Sequence, residues 1–398
     1  MSLLEKIKAI SADLFEETKE NRRHLHANPE LSFEEHKTSA YIQSKLSDWD
    51  IPFQAGIADT GIVAIVKGKN PDKKTLALRG DMDALPITEE NDKPYKSKNE
   101  GVMHACGHDV HTSSLLSTAR ILHQLKDEFE GTIKFIFQPG EEKLPGGASL
   151  MIKEGVLQNP APSGIFGQHV MPLIPVGKVG FRKGMYMASA DEIYMTVKGK
   201  GGHAALPEQN IDPVLITSHI IVALQQIVSR VASPKIPSVL SFGNVVAKGA
   251  TNVIPDKVEV QGTFRTLDEP WRAKAHDKMK KLAEGLAESM GGSCEFDIRK
   301  GYPFLKNDTQ LTERAIEAAK DYLGEDNVVE LDIWMGAEDF SYYSQEVGAC
   351  FYRLGTRNEA KKIVSGVHTP TFDIDENALS FSPGLMAWLA LHELQAQQ

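Results

Sequence analysis

Three stretches of this chain share one pattern, an apolar β-rich run that ends abruptly in acids or a histidine. Thr75 to Leu78 runs into Arg79-Gly80-Asp81-Met82-Asp83, and Gly131 to Phe137 into Gln138-Pro139-Gly140-Glu141-Glu142. Gly164 to Gln168 ends at His169. A fourth stretch, His104-Ala-Cys-Gly-His-Asp-Val-His111, is a polar loop followed directly by apolar residues at helical spacing. Strands alternating with helices predict a mostly parallel sheet, and in such sheets sites gather at the carboxyl ends of strands. Segments distant in sequence would therefore converge at one edge.

The residue types at that edge point to metal chemistry. Thiolate and imidazole suit Zn(II), and imidazole also suits Fe, Co or Ni, whereas Ca(II) and Mg(II) favour oxygen ligands. Cys106 and His108 are two residues apart, so in an extended loop before a helix both can point to the same side. Taken singly, Cys106 also reads as a small buried hydrophobe or a catalytic thiol, and His169 as a hydrogen-bonded polar residue. The Glu141-Glu142 pair after a buried strand is what a thiol nucleophile leaves unexplained. Two metals roughly 3.5 to 4 Å apart can share a water, and a carboxylate beside it can take its proton.

A length of 398 residues favours two domains. From about Ala188 the texture changes. Ile193 to Val197, Val239 to Val245, Val258 to Phe264 and Cys294 to Ile298 read as strands, with helices over Pro213 to Val231 and Trp271 to Met290. This β-α-β-β-α-β order is ferredoxin-like. The expected division is thus 1–187 and 301–398 for the main domain, with 188–300 inserted. In the main domain, residues 1–26 read as one helix, Ser32 and Glu35 as a capping box opening the next, and Thr309 to Leu323 and the segment after Pro383 as further helices.

A net charge of −10 argues against nucleic-acid or anionic-membrane partners. Three cysteines, Cys106, Cys294 and Cys350, form no disulfide framework. The N-terminus lacks a signal-peptide core, and no apolar run approaches the ~18 to 20 residues of a membrane span. A cytoplasmic protein is expected.

In order along the chain stand Arg22-Arg-His-Leu-His-Ala-Asn-Pro-Glu-Leu-Ser32, Asp81-Met-Asp-Ala-Leu-Pro86, His104-Ala-Cys-Gly-His-Asp109, Gln138-Pro-Gly-Glu-Glu142 and Gly366-Val-His368. With these five motifs the chain resembles the M20 metallopeptidase and amidohydrolase family over nearly its whole length. The nearer likeness is to the aminoacylase-like branch of hippurate hydrolases, N-acetyl-diaminopimelate deacetylases and auxin-conjugate hydrolases. The resemblance implies an α/β fold, a mostly parallel-sheet metallopeptidase catalytic domain carrying an inserted ferredoxin-like α+β lid, with dimerisation through the lid. It also implies two divalent ions, Zn, Mn, Co or Ni, held by Cys106, His108, Glu142, His169 and His368, with Glu141 as general base and Asp83 orienting a ligand. Asp81 occupies the place where other branches carry a ligating histidine. In the lid, His203 resembles the oxyanion-stabilising histidine reaching a neighbouring subunit, and Asn252 and Arg265 the substrate-binding pair. Arg265 can clamp a carboxylate in bidentate fashion. Glu338, Asp339 and the remaining histidines, His104 and His111 among them, receive no role.

The implied activity is hydrolysis of the amide bond of an N-acyl amino acid. Two other readings stay open: a dipeptidase or aminopeptidase of the same family, and a metal-dependent binding protein without turnover.

Overall fold

The computed structural model describes residues 1–396. They divide into two compact units, one made of Met1–Gly184, Lys306–Asp332 and the chain from Asp339 onward, the other of Met185–Leu305 and Ile333–Glu338.

In chain order the larger unit begins with α1 (Leu3–Asp13), α2 (Phe15–Ala27), α3 (His36–Asp48), β1 (Phe53–Ile57), β2 (Gly61–Lys67) and β3 (Thr75–Asp81). It continues with α4 (His108–Gln124), β4 (Thr132–Gln138), α5 (Gly147–Lys153), β5 (Ile165–Pro175) and β6 (Val179–Phe181). The smaller unit supplies β7 (Asp191–Lys198), β8 (Gly202–His203), α6 (Pro213–Leu224), β9 (Ser238–Ala247), β10 (Val253–Ile254), β11 (Lys257–Thr266), α7 (Glu269–Ser289) and β12 (Ser293–Lys300). The chain then returns through α8 (Thr309–Leu323), β13 (Val328–Glu330), α9 (Ser341–Glu346), β14 (Ala349–Arg357) and α10 (Ser382–Gln395).

The eight-stranded sheet runs β1-β2-β4-β3-β5-β14-β6-β13. Its central pairings, β4 with β3, β3 with β5 and β5 with β14, are parallel. Antiparallel pairs lie towards the edges. Every residue of β3 and β4 is buried. Helices cover both faces of such strands, which is why they read as continuous apolar runs rather than alternating ones. The parallel register sets Asp81 opposite Gln138 and Arg79 opposite Gly167. The acids after β3, the glutamates after β4 and His169 on β5 therefore leave the sheet at one level.

Helix α4 is buried along most of its length and packs against α2 and α10. Two local expectations differ from the structure. Residues 1–26 form two helices broken at Leu14. The Ser32–Glu35 capping box does not form, and α3 begins at His36. Both side chains are drawn elsewhere: Ser32 Oγ donates to Asp83 at 2.6 Å, and Glu35 accepts from Thr60 Oγ1 and from the Gly140 N–H, each at 2.8 Å.

In the smaller unit four antiparallel strands run β9-β11-β7-β12, and the chain order β7-α6-β9-β11-α7-β12 is ferredoxin-like. Ile216, Ile220 and Leu224 of α6 and Ala275, Met279 and Ala283 of α7 share one core with the sheet. Asp212 and Asp268 cap the two helices by accepting backbone N–H groups. The segment Pro213–Val231, 19 residues, is by length and composition apolar enough to cross a membrane, contrary to the sequence expectation. The reason is that α6 is apolar on two faces. Val214, Leu215 and Val222 are exposed while the other stripe is buried.

Candidate metal centre and active site

Gly107 opens α4 in the left-handed region at φ +85°, and a Cβ there would stand 2.5 Å from Val170 Cγ2. Only glycine fits between Cys106 and His108 at that approach. The tight turn brings Cys106 and His108 to the mouth of the sheet. Cys106 Sγ lies 3.4 Å from His169 Nε2 and 3.3 Å from His368 Nε2. His368 Nε2 is 3.2 Å from Glu142 Oε1, which in turn is 3.9 Å from His108 Nε2. His368 reaches this position with a left-handed backbone, φ +61°, anchored by its N–H on Ala105 O at 2.7 Å. Five predicted ligands from four segments thus face one another; two of their groupings, Cys106/His108/His169 and Cys106/Glu142/His368, have ligand atoms within 4.8 Å, and so do His108 and Glu142 with the predicted base Glu141.

Hydrogen bonding at the far ring nitrogens turns the metal-facing atoms to the cluster. His108 Nδ1 faces the Asp83 carboxylate at 3.0 Å and so carries a proton there, which frees Nε2 for a metal that displaces the second proton. His169 Nδ1 donates to the Val170 carbonyl at 2.7 Å, freeing its Nε2 as well. Among the described residues, His108 Nε2 and Glu142 Oε1 are buried atoms with no hydrogen bond. Buried polar atoms without partners are rare, and two aimed at one space fit a bound cation. The donor set of thiol, imidazoles and carboxylate fits a transition metal.

Electrostatics agree with that reading. Burial and the neighbouring carboxylates of Glu142, Glu141 and Asp81 push the Cys106 thiol well above its ordinary range. Without a cation it is neutral and a poor nucleophile. Burial opposes charge on His108, yet Asp81, Asp83 and Glu142 together raise it to about 10. Burial, with Arg353 behind, drives His169 well below its usual value.

Asp83 anchors two ligand segments. Its Oδ1 holds His108, and its Oδ2 accepts from Ser32 Oγ and, at 2.9 Å, from the Glu142 N–H. The two glutamates diverge: Glu142 joins the cluster, while Glu141 Oε1 accepts the Asp339 N–H at 3.3 Å. Asp339, given no role from sequence, is held by Gln138 Nε2 and by Arg79, each at 2.8 Å, with burial raising its carboxyl to about 6. Asp81 belongs to the same layer, bonded to Arg79 at 2.6 Å and to His111 Nδ1 at 2.6 Å. The Arg22 motif works one layer further out. Arg22 Nε and His26 Nδ1 both hold Asp109 at 2.8 Å, and Arg22 reaches Asp373 at 3.0 Å. Arg79, Arg22, His26 and Asp339, given no role from sequence, are supporting residues, as are Ser32 and Glu35, which the sequence assigned to a capping box. Their signal was proximity to motifs, but their partners lie far away in sequence.

In the smaller unit, His203 is exposed on β8, where it pairs with Val253. Ala204 N–H donates to Asn252 O at 3.0 Å, so the lid histidine and asparagine candidates are neighbours. His203 Nδ1 accepts the Ala205 N–H at 3.1 Å, which leaves the proton of the neutral ring on Nε2. Arg265 on β11 is half-buried, bonds Thr263 Oγ1 at 3.3 Å and forms no ion pair among the described residues. Burial lowers its pKa.

Residues 77–390 match the description peptidase family M20/M25/M40. The chain belongs to this family. It is 40% identical over 375 residues to the N-acetylcysteine deacetylase of Bacillus subtilis, covering 94% of this chain and 96% of that one. It is 38% identical over 394 residues to thermostable carboxypeptidase 2 of Saccharolobus solfataricus, covering 98% and 99%. Among solved structures, the YXEP protein of Bacillus subtilis, a dinuclear metal binding peptidase from the M20 family, superposes with a TM-score of 0.84 at 36% identity, covering 97% and 99%. The protein is a metal-dependent M20 amidohydrolase.

Proposed function

We propose that the protein hydrolyses the amide bond of N-acyl amino acids, releasing a carboxylic acid and a free amino acid. The observation that carries this reading is the set of bare, mutually adjacent ligand atoms around Cys106 Sγ with a second glutamate, Glu141, held beside it. Two divalent ions held by Cys106, His108, Glu142, His169 and His368 would supply Lewis acidity for the amide carbonyl and acidify a water. Glu141 takes the proton of the attacking water and returns it to the leaving nitrogen as the C–N bond breaks. His203 Nε2–H is the donor for the carbonyl oxygen as charge develops, acting on the site of a neighbouring subunit. Arg265, a half-buried cation that forms no ion pair among the described residues, takes the substrate carboxylate, with Asn252 beside it.

A homodimer through the smaller unit fits this scheme. The exposed stripe of Val214, Leu215 and Val222 on α6 and the open edge of β9 offer a second copy an apolar surface and an unpaired strand.

The test is amine release from N-acetyl, N-benzoyl and N-succinyl amino acids and from free dipeptides, with enzyme reloaded in Zn, Mn, Co or Ni. Chelator-sensitive release from an N-acyl compound is expected. The carboxypeptidase relative favours a second reading, in which a peptide replaces the acyl amino acid over the same carboxylate clamp. Cleavage of dipeptides alone would select it, and tight binding of an acyl amino acid without hydrolysis in any metal would select a binding protein.

A further inference from the structure

His111 follows His108 by three residues on α4, which sets both rings on one helix face. It is buried, and both ring nitrogens are engaged. The Val170 N–H donates to Nε2 at 2.9 Å, so that nitrogen is unprotonated, and Nδ1 gives its proton to Asp81 Oδ1 at 2.6 Å. Arg79 holds the other oxygen of Asp81 at 2.6 Å. A histidine whose lone pair already accepts a backbone N–H has none left for a metal. His111 and Asp81 therefore stand outside the ligand set, although they group with His108 within 4.8 Å.

What the arrangement grips is Val170. Its N–H is fixed by His111, its carbonyl takes the Nδ1 proton of His169, and its Cγ2 is the atom that a Cβ on Gly107 would meet at 2.5 Å. One residue thus governs the tautomer and aim of His169 and supports the turn that carries Cys106 and His108. The result is His169 Nε2 at 3.4 Å from Cys106 Sγ.

We propose that Arg79, Asp81 and His111 form a positioning relay, which locks the Val170 peptide and thereby aims His169 and the Cys106-Gly107-His108 turn at one metal position. The inference rests on the reading that metal binds this cluster. It gives Asp81 the task of orienting ligands rather than holding the metal. Orienting partners of metal ligands typically change affinity or activity by about 10- to 100-fold when lost.

The experiment compares cobalt-loaded wild-type protein with His111→Leu, which removes both hydrogen bonds at similar volume, and His111→Gln, which can restore an acceptor for the Val170 N–H. The readouts are cobalt bound per chain under chelator competition, the Cys106 thiolate-to-cobalt absorption band, and kcat against KM. His111→Leu should weaken cobalt binding by roughly 10- to 100-fold, shift or weaken the band and lower kcat with KM nearly unchanged, and His111→Gln should recover part of each. A folded His111→Leu protein with wild-type cobalt affinity and band would overturn the relay. Should that variant fail to fold, Asp81→Asn carries the same test, with altered cobalt affinity and band expected and unaltered ones overturning it. Wild-type protein that binds cobalt but hydrolyses no N-acyl compound or dipeptide would refute the proposed function while the band still decides the relay. Absence of any cobalt band sensitive to Cys106→Ser would overturn both.

Discussion

The two units prepare their candidate residues in opposite ways. In the larger unit four of the five proposed ligands are buried or backed, Cys106 by burial, His108 by Asp83, His169 by the Val170 carbonyl and Glu142 through its N–H on Asp83, while His368 is exposed and held through its backbone N–H on Ala105. In the smaller unit His203 is exposed on a two-residue strand, and Arg265 has one weak contact at 3.3 Å. Preorganisation belongs where a cation must find fixed ligands, and looser side chains belong where a substrate arrives and leaves. On this account, variants of the proposed ligands and their orienting partners in the larger unit change metal binding and kcat, whereas variants in the smaller unit change KM or kcat and leave metal binding intact.

The largest effect should come from the shared ligand. Cys106→Ser is expected to weaken metal binding by on the order of 100-fold or more, beyond what loss of an orienting partner does, with activity falling in parallel. Metal analysis after exhaustive dialysis checks it, and full metal content would remove Cys106 from the set. Next, Asp83→Ala should cost about 10- to 100-fold in both metal affinity and kcat, because one substitution frees His108 and the Glu142 backbone together. An effect confined to KM would break the contrast between the units.

Arg265→Ala should raise KM by about 10- to 100-fold, the size of a charged hydrogen bond, at unchanged metal content. Arg265→Lys should recover part of the loss. Metal depletion in Arg265→Ala would show that the smaller unit is not independent of the ligand cluster.

The smallest effect is on stability. Burial and the nearby Asp83 raise Glu35 from 4.5 to about 7. The folded state then keeps a proton that the unfolded chain releases, so stability falls as pH rises from about 4.5 and levels off above about 7. Glu35→Gln should remove about 1 to 3 kcal/mol of that fall in the metal-free protein. Denaturant titrations at pH 5 and pH 8 measure it, and an identical pH dependence in both proteins would count against a buried, shifted carboxyl.

Much of this was legible in the sequence because the informative residues are local. Strand-end acids, the Cys106-Gly107-His108 turn and the Pro213 and Thr309 helices each declare themselves within about ten residues. The ferredoxin-like order was readable for the same reason. What stayed hidden depends on pairs far apart. Ser32 and Glu35 satisfy a helix-start pattern yet bond Asp83, Thr60 and Gly140, because buried polar partners outcompeted a local cap. His111 looked like a helix histidine until Val170 and Asp81 closed on it. Asp339 looked like a loop acid, and only the sheet register brings Arg79 and Gln138 to it. The apolar outer stripe of α6 was overlooked because a single helical period was enough to explain the segment.

The most direct test of the whole account is Glu141→Gln, assayed for bound metal and for hydrolysis in the same preparation. In the proposed mechanism Glu141 moves the proton and does not hold the ions. The account predicts wild-type metal content with hydrolysis of N-acyl amino acids reduced by at least about 100-fold, the low end for general acid–base catalysis. Retained turnover, or loss of metal together with activity, would contradict it.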